Sequence, residues 1–448
     1  MYTKEIEVLS LIADRIEGRS SREIALTIGA MISCGDLQPG DRLPTVRAVA
    51  DRIGVSSSTV ADSWRILTAH GAIDTARRNG TTVRSARAEM TGRFWQVPST
   101  LGASIVDLST GTPDTDLLPP LGPVLHRLHA DVSITSYIDR PVLLELEHEL
   151  NRRWPFVPQS LTVVNGALDA LDHMVAALVR LGDTVVVEDP TFPPILDMLE
   201  RAGARIVGVQ VDRHGPVVES WAEAMAKRPT AAFIQPTAHN PTGASLTPRR
   251  CAQLAEAVAD LAPNCWVVED NHSGAIAQTQ LVSLGEHMAD RVVHIHSFSK
   301  SHGPDLRIAA VGGAEEPIST VIDRRRLGPS WTSRLIQNIL LTMLTDAEVE
   351  TQVAHAVQVY SERRRFLRDA LAAEGTTTEP GEGLNMWIPV ADEQRAVVAL
   401  ALDNVGVAIG HPFRLHGNTD PDHIRVSIGS ARGDLGELAM AIASAARA

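Results

Sequence analysis

From Ile105 onward, short runs of Val and Ile recur between longer stretches of helical periodicity. The runs are Leu161–Val164, Thr184–Val187, Ala231–Ile234, Trp266–Val268 and Val292–Ile295. Runs that are apolar throughout suit strands covered on both faces, and the helices between them supply the crossovers that parallel pairing needs. The pattern predicts an α/β domain with a largely parallel sheet and helices on both sides. After Thr320 helical patterns dominate. Strands near Asn385–Ile388 and His423–Ile428 predict a smaller α+β subdomain. No internal repeat or low-complexity tract interrupts the order.

The residues before Ile105 read differently. Residues 1–84 form a small module, 85–103 a linker without sustained apolar periodicity, and 104–448 the large domain. The net charge of −13 argues at first against a nucleic-acid partner. Residues 1–90, however, carry 12 Lys+Arg against 11 Asp+Glu, so the acidity belongs to the long remainder. A head with locally clustered arginines can then bind DNA while the rest keeps the chain in solution. No apolar run approaches the ~20 residues that span a bilayer, and Met1 to Ser10 lacks a signal-peptide core. Cys34, Cys251 and Cys265 have no metal-ligand spacing, so no metal site is expected, and they read as reduced thiols of a cytoplasmic protein.

In the head, the spacing of Ile24, Ile28, Met31 and Ile32 predicts a first helix from Ser21 to Cys34. Thr45 can cap a short helix through Ile53. Gly54 then supplies the turn of a helix-turn-helix, and Ser56 or Ser57 caps a second helix ending at Ala69. Between Ile73 and Val83 the sequence Arg77-Arg78-Asn79-Gly80 is a hairpin signal. A hairpin after a helix-turn-helix is a wing. Such a module presents Ser56, Ser57, Ser58 and Thr59 to the major groove, with Arg47, Arg77, Arg78 and Arg84 against phosphates. A protein-docking module with a solvated hairpin is the alternative reading of the same spacing.

The large domain places chemistry at strand ends. Lys300, in Ser297-Phe298-Ser299-Lys300, can be held near a carbonyl and form an imine. Ser297, Ser299 and Arg307 can hold an anion. Asp270 and Glu269 end the strand from Trp266, where ligands of parallel sheets bind, and alternation sends the two acids to opposite faces. Asn240-Pro241-Thr242-Gly243 is turn chemistry. Asn165-Gly166-Ala167 opens a helix, whose N–H groups and dipole favour an anion. Phe192 follows another strand and could cover an aromatic ring. Singly, these are also an ordinary surface lysine, a solvated acid, common turns and a packed phenylalanine.

Together the motifs carry two resemblances. Leu37-x-Pro39-Gly40-x-x-Leu43-Pro44-x-x-Arg47, Gly54-Val55-Ser56-x-x-Thr59-Val60 and Gly80-Thr81-Thr82-Val83 resemble the GntR winged helix. The ordered set from Asn165 to Arg425 resembles the fold-type I aminotransferases over about residues 104–446. Joined, the two resemble the MocR subfamily of transcription regulators. The resemblance implies pyridoxal 5'-phosphate (PLP) as cofactor, bound as an imine to Lys300. Asp270 would meet the pyridine nitrogen, Asn240 the phenolic oxygen, and Phe192 the ring face. Gly166, Ala167, Ser297 and Arg307 would hold the phosphate, and Arg425 the carboxylate of an effector. Tyr137 would reach the phosphate of a neighbouring subunit, which implies a homodimer. His272 stands where the family has tyrosine, and could still bond the phenolic oxygen. Ser57 stands where it has arginine, and Asn165 where it has serine.

Three functions fit this sequence. The first is an operator-binding regulator that senses PLP or an amino compound, with at most a residual half-transamination. The second is a working aminotransferase with an accessory head. The third is a repressor whose large domain only dimerises.

Overall fold

The computed structural model of the protein describes residues 2–16, 18–33, 35–38, 40–69, 72–76, 80–83, 92–93, 106–128, 140–415, 417–418 and 420–448. Arg77, Arg78, Arg84 and Tyr137, singled out above, lie outside them.

The head begins with a helix not singled out from the sequence, α1 (Tyr2–Arg15), ahead of α2 (Ser21–Ser33). Then follow β1 (Arg42–Leu43), α3 (Val46–Ile53), α4 (Ser57–Ala69), β2 (Ile73–Ala76) and β3 (Gly80–Val83). Thr45 caps α3, its hydroxyl accepting from Ala48 N at 3.2 Å. Ser56 caps α4 by accepting from Thr59 N at 3.1 Å. The wing strands β2 and β3 pair antiparallel, and β1 adds a third strand beside β3. One apolar cluster, including Ile12, Ile28, Val49, Val60, Trp64 and Ile73, holds the head together.

The large domain runs β4 (Val106–Leu108), α5 (Leu121–Arg127), α6 (Leu144–Arg153), β5 (Ser160–Val164), α7 (Ala167–Leu178), β6 (Thr184–Asp189), α8 (Pro193–Arg201), β7 (Arg205–Asp212), β8 (Gly215–Pro216), α9 (Val218–Met225), β9 (Ala231–Ile234) and α10 (Pro248–Leu261). It continues β10 (Trp266–Asn271), α11 (Gly285–Met288), β11 (Val292–Ser297), β12 (Ala309–Gly313), α12 (Glu315–Arg326) and α13 (Arg334–Leu344). The main sheet has the order β5-β12-β11-β10-β9-β6-β7-β8. Strands β11, β10, β9, β6 and β7 are parallel, while β12 runs antiparallel to both neighbours. Successive side chains leave the sheet on opposite faces. Val187, Val268, Val293 and Phe233 pack with α7 and α8, and Val186, Val267, Val292 and Ile234 with α9 and α10. Both faces are therefore dry, which is why the sequence shows runs of Val rather than alternation.

The smaller subdomain contains α14 (Ala347–Ala373), β13 (Asn385–Pro389), α15 (Glu393–Leu402), β14 (Val405–Ile409), β15 (His423–Ser427) and α16 (Leu435–Ala446). Its sheet has the order β13-β15-β14-β4, so the first strand after the linker lies parallel to β14. In the linker, Arg93 pairs with Asp197 and Glu200 on α8.

The head rests on α15. Residues 396–401 of that helix are buried all round, a pattern that requires partners on two sides. Val397 and Leu400 join the subdomain core, whereas Val398 and Ala401 belong to the head's own cluster. The contact is made by α2. A Cβ added to Gly29 would lie 2.8 Å from Val398 Cγ1, so glycine lets the two helices approach. Arg22 and Asp403 pair at 3.0 Å at the rim.

Candidate functional site

The site forms where the C-terminal ends of β6, β9, β10 and β11 meet β15 and the loop after β4. Parity decides between the two acids of β10. Glu269 shares the face of Val267, and its carboxylate accepts from Ser283 Oγ (2.6 Å), Leu284 N (2.7 Å) and His294 Nδ1 (2.7 Å). It is a saturated structural acid. Asp270 shares the face of Val268, and its Oδ1 is buried without a partner. Burial first, and the Glu188 carboxylate second, push Asp270 up to about 7. An acid in this state awaits a cationic or N–H donor.

Lys300 follows β11, next to β10 in the sheet, and its ammonium donates to the carbonyl of Gly111. Burial, then the charge of Arg425, lower it to about 8. That is the direction an imine-forming amine requires. Arg425 projects from β15 with a guanidinium 5.1 Å from the centre of the Phe413 ring. It donates to Asn240 Oδ1 at 3.2 Å and to the carbonyl of Ser109, and its Nε has no partner. Burial lowers it to about 10, so it stays charged at neutral pH. Asn240 Oδ1 is thus occupied, leaving the NH2 end of that amide as a donor. Phe192 stands immediately before α8 and lines a small cavity with Asp270, Glu188 and Leu171. His272 has a buried Nδ1 without a partner, and burial pulls its imidazole down to about 3, ahead of the nearby Lys300 charge. It is therefore neutral, able to donate or accept.

At the start of α7, Gly166 has φ +102°, and a Cβ there would meet Arg307 Nη2 at 2.9 Å. The positive φ is what requires glycine, and the absence of a Cβ also lets the Arg307 guanidinium lie close to the turn. Ala167 begins the helix, whose first N–H groups have no intrahelical acceptor. Ser297 is buried at the end of β11, and its Oγ accepts from Ser299 N at 3.3 Å. Asn165 is engaged within the protein. Its N–H donates to Asp169 Oδ2, its carbonyl accepts from Arg307, and its Oδ1 accepts from Thr332 Oγ1. It shapes the turn and turns its side chain to Thr332.

Several site residues were not legible in the sequence. Ser109 and Gly111 enter through backbone carbonyls, which no side-chain motif announces. Glu188 lies beneath the cavity, its Oε2 accepting from Gln235 N at 2.8 Å and lying 3.4 Å from His239 Nε2. An acid at the end of a strand, as at 270, was the available signal for it.

On the head, Arg47, Ser57 and Ser58 are exposed, while Ser56 is bonded to Ser58 and Thr59 through its hydroxyl. Helix α4 thus starts at an open surface.

The model of the family described as aminotransferase class I and II matches residues 103–443, and that of the bacterial regulatory proteins of the gntR family matches residues 20–83. The chain is 31% identical to the vitamin B6 salvage pathway transcriptional repressor PtsJ of Salmonella typhimurium, over 92% of this chain and 95% of that one. It belongs to the GntR-type transcription regulators that carry a class I/II aminotransferase domain. The regulator is also 23% identical to the pyridoxine biosynthesis regulator PdxR of Corynebacterium glutamicum, over 88% of each chain. LysN, an α-aminoadipate aminotransferase of Thermus thermophilus, superposes with a TM-score of 0.68 at 20% identity, covering 80% of this chain and 96% of LysN. That likeness extends the fold-type I architecture to the large domain. Among the described residues no helix is long and apolar enough to cross a membrane.

Proposed function

We propose that this protein is a regulator of MocR type that binds operator DNA through its winged helix and takes PLP, or an amino compound captured on PLP, as its signal. One observation carries the reading. Lys300, Asp270, Asn240 and Arg425 converge in one site, and the subdomain that holds Arg425 also carries the DNA-binding head on α15. The roles of PtsJ and PdxR in vitamin B6 genes favour PLP itself as the signal.

The residues fit the cofactor. Asp270 supplies an unpartnered acid for the pyridine nitrogen and Lys300 a depressed amine for the aldehyde. Phe192 supplies a ring to stack, and Asn240 and His272 supply donors for the phenolic oxygen. Gly166, Ala167, Ser297, Ser299 and Arg307 supply the phosphate cup, shaped by Asn165. When bound, PLP supplies an aldehyde and an electron-accepting ring. Arg425 binds the carboxylate of an amino effector. Tyr137 serves the partner's site in a homodimer, matching paired half-sites on DNA. On the head, Ser56–Thr59 read the major groove, and Arg47, Arg77, Arg78 and Arg84 hold phosphates.

A route joins the two sites. Ligand at Lys300 and Arg425 competes with the carbonyls of Gly111 and Ser109. These follow β4, which is bonded to β14, which follows α15. A ligand that favours one position of the β4 loop therefore favours one seating of the head, and DNA must bias the ligand equally. The test is spectroscopic titration of the full chain with PLP, then with amines and amino acids, with and without promoter DNA. The reading requires a band that is lost in Lys300→Ala and a PLP affinity that DNA changes. Steady transamination with no sequence-specific DNA binding would establish the aminotransferase reading instead.

A further inference from the structure

We propose that Arg325, which does not belong to the cofactor motifs, is a positioning residue for the phosphate group. It holds the Asn165–Ala167 turn from behind and places a buried positive charge beneath it. The inference rests on reading that turn as the phosphate cup.

Arg325 lies in the last turn of α12 and is 2% exposed. A buried guanidinium ordinarily sits against a carboxylate, because an isolated buried charge is costly. Here no carboxylate lies within ion-pair distance among the described residues. The guanidinium donates to the carbonyl of Val163 and to Thr332 Oγ1 (3.2 Å), and its Nε has no partner. Burial lowers it, with Asp169 pulling the other way.

Both acceptors lead to the turn. Val163 is two residues before Asn165 on β5. Thr332 Oγ1 donates to Asn165 Oδ1 at 2.9 Å. Thr332 is itself held from behind, since its carbonyl accepts from Gln337 Nε2 at 2.8 Å. Gln337 also grips Pro141 O (3.0 Å) and Leu143 N (2.9 Å). The other groups on the turn are Asp169, which accepts from Asn165 N, and His173, 3.5 Å from Asp169. Arg307 closes it from the exposed side. Two guanidiniums thus bracket one peptide segment, one open to ligand and one sealed. An incoming phosphate dianion supplies the negative charge that the sealed one lacks, through the turn rather than by touch.

The test uses the full chain and compares PLP with pyridoxal, which has the same ring and aldehyde without the phosphate. Both are titrated by absorption, and inorganic phosphate is assayed separately by thermal shift. In Arg325→Met and in Thr332→Val, PLP affinity is expected to fall by about tenfold, the range of one charge-assisted bond, while pyridoxal affinity changes less than about twofold. Thr332→Ser, which keeps the hydroxyl, restores PLP binding. Equal losses for PLP and pyridoxal, or no loss of PLP in the folded Thr332→Val variant, overturn the assignment. If wild type takes up neither aldehyde yet is stabilised by phosphate while the variants are not, Arg325 keeps its role and the cofactor reading falls. If phosphate stabilises nothing and no aldehyde binds, both fall.

Discussion

Arg425 Nη1 lies 3.2 Å from Asn240 Oδ1, across 185 residues of chain. The pair joins the small subdomain to the large one inside the site, so on the proposed role of Arg425 an effector carboxylate takes over a guanidinium already engaged by the protein. Arg425→Gln is expected to leave PLP uptake within about threefold while removing the response to amino acids. A double-ended carboxylate grip does not survive loss of the planar fork. Titration of the PLP-loaded variant with amino acids and with amines lacking a carboxylate measures the difference.

If Lys300 captures PLP as proposed, its amine sets the pH dependence of uptake. With its ammonium lowered to about 8, about a tenth of the chains carry a free amine at pH 7, against about one in three thousand for an unperturbed lysine. The rate of PLP uptake should therefore rise about tenfold from pH 7 to above pH 8.5 and then level off. A stopped-flow profile still climbing steeply at pH 10 would contradict the burial of this amine.

Asp270 gives a stability prediction with a definite sign. Its folded value is raised to about 7, above the unfolded carboxylate. The cofactor-free protein therefore has its full stability from this group below about pH 4 and loses it as pH rises through about 7. Asp270→Asn should make the cofactor-free chain more stable at pH 8 by about 2 to 4 kcal/mol, with little gain at pH 4. The same variant should bind PLP much more weakly. Denaturant melts at the two pH values decide it.

The seating of the head on α15 is testable at Gly29. Gly29→Leu drives a side chain into Val398, whose Cγ1 would be 2.8 Å from the new Cβ. The overpacked contact is expected to cost about 1 to 3 kcal/mol. PLP binding and DNA binding should each persist, but their mutual dependence should fall towards unity. Retained coupling would mean that the signal travels by another route.

On the head, Ser56→Ala removes the cap of α4 and should cost about 1 kcal/mol. Arg47→Ala should reduce the salt dependence of operator binding by about 0.9 in slope, the value of one neutralised phosphate. Denaturant melts measure the first effect, and anisotropy titrations with operator DNA at several salt concentrations measure the second.

The helix-turn-helix was legible because each of its parts is local. Thr45, Gly54 and Ser56 act within three or four residues of where they stand. The same holds for the buried strands and for the turns at Asn165 and Asn240. Helix α1 was missed although Ile6, Leu9, Ile12 and Ile16 recur at helical spacing, because the segment carries no capping or turn signal of the kind that marks Thr45 and Gly54. The strands Arg205–Asp212 and Ala309–Gly313 were missed because Gly and polar residues interrupt their apolar runs.

Sequence alone determined the order of the elements and the residue types at the strand ends, because period and turn chemistry are set by near neighbours. Only the folded chain decided that Asp270 rather than Glu269 faces the site, since alternation separates the two without naming the inner face. It alone gave α15 a second buried side, set Arg425 against Asn240, and put Arg325 behind the turn at Asn165. These are contacts between segments over a hundred residues apart. Their energies depend on which surfaces exclude water together, and nothing within a local stretch of sequence specifies that.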